Sequence, residues 1–107
     1  MTTIELGPIA AMPDGIGMRI DVGDDRIAVF RVGDEVHAIG DRCSHAEASL
    51  SEGEVVGYEV ECPRHGALFD ITTGAVLSLP ATKPVPTHRV EIREGIVLLT
   101  VGEESHV

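Results

Sequence analysis

The sequence is short of aromatic residues: it has no tryptophan, one tyrosine (Tyr58) and two phenylalanines (Phe30 and Phe69). A hydrophobic core must therefore be built mainly from Val, Ile, Leu and Ala. Basic residues are also few, 8 Lys and Arg against 18 Asp and Glu, for a formal net charge of −10. Phosphate backbones are bound by clustered Lys and Arg, so nucleic acid is not expected as a partner, and neither is an anionic membrane surface. The acidic excess suits protein partners that carry basic patches, or serves only to keep the chain in solution. No apolar run is long enough to span a bilayer, and MTTIELGPIAAMPDG has no basic region ahead of an apolar stretch. Neither a membrane span nor a secretory signal is expected, and a cytoplasmic location is the default. Cysteine is scarce: Cys43 and Cys62 are the only two. In a reducing compartment such a pair more often serves as metal ligands or free thiols than as a disulfide.

What is present reads as one domain over residues 1–107, long enough to bury a core without a covalent staple. No repeat or low-complexity segment is visible. MRIDV (18–22), RIAVFRV (26–32) and VHAI (36–39) are β-type runs separated by the hairpin-like turns Val22-Gly23-Asp24-Asp25 and Val32-Gly33-Asp34-Glu35. HRVEIR (88–93), Glu94-Gly95 and IVLLTV (96–101) form another hairpin. The fold class predicted is all-β, a small antiparallel sandwich or barrel. Residues 41–86 read as an excursion that carries the functional site, with β-type pieces GYEVEC (57–62) and GAVLSL (74–79). Pro80, Pro84 and Pro86 exclude a helix or a central strand there. Ser44 to Glu47 matches a helix-capping box, so SHAEASLSE could begin a helical turn that points Leu50 inward. The tail GEESHV is expected to fray.

The excursion holds Cys43-x-His45, then sixteen intervening residues, then Cys62-x-x-His65. Three objects use such ligands. Structural zinc accepts two Cys and two His, but usually takes two cysteines from one knuckle, and C-x-H is tight for two ligands on one ion. A thiolate beside a histidine is a candidate nucleophile, but two parallel pairs are hard to justify that way. A two-iron, two-sulfide cluster in which cysteines hold one iron and histidines the other fits the spacing best, each loop giving one ligand to each iron. Taken singly, Cys43 or Cys62 is more often a small buried hydrophobe, and a lone histidine more often a surface or core group. His37, His88 and His106 have no partner spacing and are assigned no role.

CSH followed by CPRHG resembles the C-x-H…C-x-x-H signature of Rieske proteins, and the resemblance extends through GALFDITTGAV to the proline-rich LPATKPVP. It covers essentially the whole chain. It implies one [2Fe-2S] cluster per chain, with Cys43 and Cys62 on one iron and His45 and His65 on the other. It also implies a proline-containing loop over the cluster, which LPATKPVP would match. Pro63 would stiffen the second loop, Gly66 would pass close to the cluster with its N–H free to donate to sulfur, and Gly74 would fit a turn. Such a cluster is formally neutral when oxidised, so it accepts an electron more readily than a four-cysteine one. Rieske centres span roughly −150 to +300 mV against about −400 mV for plant-type ferredoxins. Respiratory-type members add a disulfide between the loops and a serine after the second His-Gly. This chain has no further cysteine and has Ala67 after Gly66. Fewer donors to sulfur imply a potential near the low end, on the order of −150 mV.

The chain is too short for an oxygenase catalytic domain, and it lacks a Gly-rich dinucleotide fingerprint. The resemblance therefore implies not an enzyme but a soluble ferredoxin. Its partners would be a flavin-containing, NAD(P)H-dependent reductase and a terminal ring-hydroxylating oxygenase. A small subunit of an assimilatory nitrite reductase is the nearest alternative, and a structural zinc-binding interaction module is an alternative of another class. Arg42 and Arg64, beside the ligands in an acidic chain, are candidates for orienting a docking face, or are ordinary solvated charges.

Overall fold

The computed structural model describes residues 2–23, 25–42, 48–64, 66–78 and 84–101. The described residues form nine strands, in chain order β1 (Thr2–Pro8), β2 (Gly17–Val22), β3 (Asp25–Val32), β4 (Glu35–Gly40), β5 (Glu54–Val56), β6 (Glu59–Glu61), β7 (Leu68–Asp70), β8 (Thr87–Arg93) and β9 (Ile96–Val101). All pairings are antiparallel. A six-stranded sheet runs β1-β9-β8-β4-β3-β2, and a three-stranded sheet runs β5-β6-β7. The small sheet is inserted between β4 and β8. The all-β antiparallel expectation holds, and the described residues contain two short 3₁₀ turns and no α-helix.

The hairpins follow from their turn residues. At β3–β4 the two-residue loop puts Gly33 at φ 63°, and at β8–β9 both Glu94 (φ 50°) and Gly95 (φ 80°) lie in the left-handed region, as a type I′ turn requires. Strand β3 explains why there are two cores. Its central residues Ile27 to Phe30 are all fully buried, and alternate side chains point to opposite faces. Ile27 and Val29 join Met12, Val36, Ala38, Val97, Leu99 and Val101. That cluster also draws on Leu6 of β1 and on Met18, Ile20 and Val22 of β2, the two edge strands, so the large sheet curls over its own interior. Ala28 and Phe30 face the other way, toward Ile39, Leu50, Val60, Cys62, Ala67, Phe69, Ile71 and Val85. This second core joins the large sheet to the small one.

Several details differ from the sequence reading. The N-terminus forms the edge strand β1, paired with β9, because Ile4 and Leu6 alternate with polar residues, a short pattern that the sequence reading did not pick out. GYEVEC contributes only the three residues of β6, and Gly57-Tyr58 form its turn. GAVLSL is not a strand among its described residues: Val76 makes one isolated bridge to Phe69, and the Ser78 hydroxyl takes the Leu68 N–H in place of a backbone partner. The capping-box residues 44–47 and the tail 102–107 lie outside the described residues. The helical turn that is described is a 3₁₀ turn over Leu50–Glu52, and Leu50 does point inward, fully buried.

The partly buried His88 of β8 pairs with Ala38. Burial lowers its pKa from the ordinary 6.5, while the Asp25 carboxylate pulls it upward. Just below pH 6.5 the unfolded chain therefore binds more protons than the folded one. Stability rises with pH through that interval and levels off above it, with a slope of at most about 1.4 kcal/mol per pH unit. Urea unfolding at pH 5.5 and 7.5 is expected to show a smaller difference for His88→Gln than for the unsubstituted protein; equal differences would assign the slope to another group.

Candidate metal centre

Both Cys-His stretches hang from hydrogen-bonded stems. At the first, β4 ends at Gly40, and Asp41 follows with its side chain fully buried. The Asp41 N–H donates to the Arg26 carbonyl (2.9 Å), and the Leu50 N–H donates to the Asp41 carbonyl (2.7 Å). Arg42 bridges Ser49 across the stem. The carboxylate is a hub: Oδ1 accepts the Ser51 N–H (2.9 Å), and Oδ2 accepts the Ser49 hydroxyl (2.7 Å) and Arg26 Nη2 (3.2 Å). Burial pushes the Asp41 pKa up, but the hydrogen bonds from Ser49, Ser51 and Arg26 outweigh it and hold the carboxyl below its ordinary value. Gly17 of β2 makes room for this turn, because a Cβ there would lie 2.6 Å from the Ser51 carbonyl oxygen. Cys43 and His45, carried by this stem, lie outside the described residues.

At the second stretch Cys62 is described, 1% exposed and a free thiol, packed among Leu50, Val60, Ala67 and Phe69. Its N–H donates to the Ala67 carbonyl (2.7 Å), and its own carbonyl accepts the Gly66 N–H (3.0 Å). Gly66 sits at φ 79°, which a side chain would strain. This corrects one expectation: the Gly66 N–H closes the turn onto Cys62 and is not left free for a sulfur atom. Pro63 and Arg64 are exposed on this turn, and His65 lies outside the described residues.

The two stems meet. A surface cleft of about 340 Å³ is lined by Ala48 and Ser49 from the first stretch, Pro63 and Arg64 from the second, and Arg26 and Glu52. The proline-rich stretch is described only from residue 84, so a cover formed by 79–83 lies outside the described residues. Its end is anchored: the Val85 N–H donates to the Gly74 carbonyl (2.9 Å) and the Gly40 N–H to the Pro86 carbonyl (2.8 Å). Gly74, at φ 76°, makes the expected turn, and a Cβ there would collide with the Val85 carbonyl oxygen.

His37, given no role in the sequence reading, joins the two sheets. Its Nε2 lies 2.9 Å from Glu35 Oε1, the Tyr58 hydroxyl donates to Glu35 Oε2 (2.8 Å), and the two rings meet edge to face with centroids 5.9 Å apart. These hydrogen bonds, from His37 first and then Tyr58, lower the Glu35 pKa. The Asp41 hub was also missed, although a signal for it exists. The two-residue turn Gly33-Asp34 sets the β3–β4 register, and extending that register past Ile27 and Gly40 puts Arg26 opposite Asp41.

Comparison with known proteins places the chain in a family. The Rieske [2Fe-2S] domain description matches residues 2–89. The chain belongs to the Rieske [2Fe-2S] ferredoxin family. One [2Fe-2S] cluster goes with that membership. A Rieske relative, the 3-phenylpropionate/cinnamic acid dioxygenase ferredoxin subunit of Escherichia coli (strain K12), is 44% identical over 104 residues, covering 96% of this chain and 97% of that one. The ferredoxin of carbazole 1,9a-dioxygenase from Nocardioides aromaticivorans IC177 superposes with a TM-score of 0.88 at 36% identity, covering 92% of this chain and 97% of that one. A solved complex of reduced oxygenase and oxidized ferredoxin in carbazole 1,9a-dioxygenase gives a TM-score of 0.86 at 40% identity, covering 91% of each chain. The described residues of this Rieske ferredoxin fit the cluster. A buried thiol outside any disulfide is suited to bind as thiolate, and the stems of both Cys-His stretches border one cleft.

Proposed function

We propose that this Rieske ferredoxin is the electron carrier of a ring-hydroxylating dioxygenase system. It takes single electrons from a flavin-containing, NAD(P)H-dependent reductase and delivers them to a terminal oxygenase. The observation that carries this reading is the 44% identity, over nearly the full length of both chains, to a ferredoxin subunit of a dioxygenase. Likeness to a ferredoxin solved together with its oxygenase supports the oxygenase as partner. Cys43 and Cys62 are proposed as thiolate ligands of one iron, and the imidazoles of His45 and His65 as ligands of the other. When bound, the cluster accepts one electron and releases it again. Residues 1–107 act as one unit, with 41–86 as the cluster-binding subdomain, and we place the protein in the cytoplasm. No described helix is long and apolar enough to cross a membrane.

The chain's own part is to bind, shield and present. The core around Cys62 keeps water from its sulfur, and the closed turn from Cys62 to Ala67 holds the second stretch in place. With the Gly66 N–H committed and Ala67 carrying no hydroxyl, two donors to sulfur are missing, and the midpoint is expected on the order of −150 mV. A midpoint above zero would contradict this account of the loop. The test of function is a reconstituted relay. With a reductase and oxygenase from the same gene neighbourhood, NAD(P)H-driven hydroxylation should depend on this protein. Failure with every such pair, together with stimulation of a nitrite reductase, would favour the alternative role. Purified protein should be brown, with equal iron and acid-labile sulfide; a colourless zinc protein would exclude both redox roles.

Arg64 is exposed at the cleft, on the turn that carries His65, in a chain of net charge −10. It is proposed to orient an acidic patch on a partner. Arg64→Glu should slow second-order electron transfer about tenfold or more at low salt, with the difference shrinking as salt is added. An unchanged rate at low salt removes Arg64 from the docking face.

A further inference from the structure

The Asp41 hub occupies a particular place: two residues before Cys43, at the point where the first stretch leaves β4. Its carboxylate is fully buried, and its contacts reach three separate segments, Arg26 at the start of β3, Ser49 on the returning stem and Ser51 in the 3₁₀ turn. Arg26 Nη2 reaches the Ser49 hydroxyl (2.9 Å) as well as Asp41, so donor, hydroxyl and carboxylate form a closed triangle. The buried Arg26 Nε has no hydrogen-bond partner among the described residues. A buried donor left unpaired is costly, so the guanidinium sits where it serves Asp41 and Ser49 and not where its own bonding would be complete. Main-chain bonds repeat the same connection, from Asp41 to Arg26 and from Leu50 to Asp41.

We propose that Asp41, locked by Arg26 and Ser49, is the positioning residue of the first ligand stretch: it fixes the stem from which Cys43 and His45 extend and thereby sets the coordination geometry of the irons, beyond holding the fold together. The inference rests on the reading of Cys43 and His45 as ligands. Two residues span at most about 7 Å, so little slack separates the carboxylate from the first ligand, and a displaced stem moves the ligand with it. The stem is also over-determined. Its closure by the Leu50–Asp41 bond and the Arg42–Ser49 bridge would suffice for a turn, yet a charge pair is added between a partly exposed guanidinium and a fully buried carboxylate. Buried ion pairs are weak contributors to stability, and their best-attested use is to specify one arrangement among several. By contrast, Asp70 accepts from Thr72 at an exposed turn and connects no second segment through that carboxylate oxygen.

The test uses the full chain loaded with its cluster. Asp41→Asn, Asp41→Ala and Ser49→Ala are compared with Val97→Ala, a destabilising change in the core of the curled sheet, away from this stem. For each, the paramagnetic spectrum of the reduced form and the midpoint potential are measured per loaded cluster, beside the melting temperature and the rate of iron loss to a chelator. Asp41→Asn and Ser49→Ala should fold and load, with shifted g values, broadened lines, a displaced midpoint and iron loss about tenfold faster. Val97→Ala should lower the melting temperature with an unaltered spectrum and potential. If Asp41→Asn and Ser49→Ala also show only a lower melting temperature, Asp41 is structural and the proposal is overturned. Should Asp41→Ala fail to fold, the two milder variants decide. An unsubstituted protein without a rhombic signal would instead overturn the ligand assignment, an outcome read before any variant is made.

Discussion

Replacing Cys62 by serine is expected to give a folded but colourless protein. The side chains are nearly the same size, so the packing among Leu50, Val60, Ala67 and Phe69 should survive. The chemistry does not survive. A cysteine thiol binds iron as its thiolate, whereas an aliphatic hydroxyl does not give up its proton so readily. The new hydroxyl is also buried, at a cost of about 1–3 kcal/mol if it finds no partner. Iron and acid-labile sulfide should fall to background while far-ultraviolet circular dichroism keeps its β signature, because the core of the curled sheet does not include position 62. His37→Ala is the control. It removes an imidazole tied to Glu35 and Tyr58 and should leave the colour intact. A brown Cys62→Ser protein with full iron content would sink the ligand assignment.

Phe69→Ala should produce the largest loss of stability of any single core substitution in the small sheet. Phe69 is fully buried on β7 and lies between the pairing to Val60 and the bridge to Val76. The strands of that sheet are three residues each, too short to stand on backbone pairing alone. What holds the sheet to the rest of the molecule is the core that Phe69 shares with Phe30, Ile39 and Leu50. Truncating a buried phenylalanine costs about 3–5 kcal/mol, a large part of the roughly 5–15 kcal/mol typical of a domain. The melting temperature should drop by more than about 12 °C. Because Cys62 packs in the same core, iron should be lost faster as well. Tyr58→Phe, which removes one exposed hydroxyl, should change stability by less than about 1 kcal/mol. If Phe69→Ala proved equally mild, the shared core would not be what joins the sheets.

The long strands were legible in the sequence for a physical reason. MRIDV, RIAVFRV, HRVEIR and IVLLTV are long enough for their apolar pattern to stand out, and their Gly-containing turns require positive φ at the positions where glycine occurs. The short strands β5 and β7 were not legible, because three residues carry too little pattern to tell from a loop. GAVLSL misled in the opposite direction. It has strand composition, but Ser78 competes for the backbone partner that a regular ladder would use. The role assigned to Gly66 was wrong because glycine announces conformational freedom and says nothing about where its N–H will go.

From the order of its residues alone, this protein is an all-β chain with two Cys-His pairs, at the spacing on which its resemblance to Rieske proteins rests. Chemistry is local at this level: a thiol or an imidazole names its metal preference wherever the chain later puts it. Only the tertiary structure decided that Cys62 is buried between two sheets, that the stems of both stretches border one cleft, and that Arg26 and Asp41 meet at the neck of the first. Burial and charge pairing depend on segments distant in sequence being brought together, and no single stretch of sequence carries that information unless the strand register is followed across the turn.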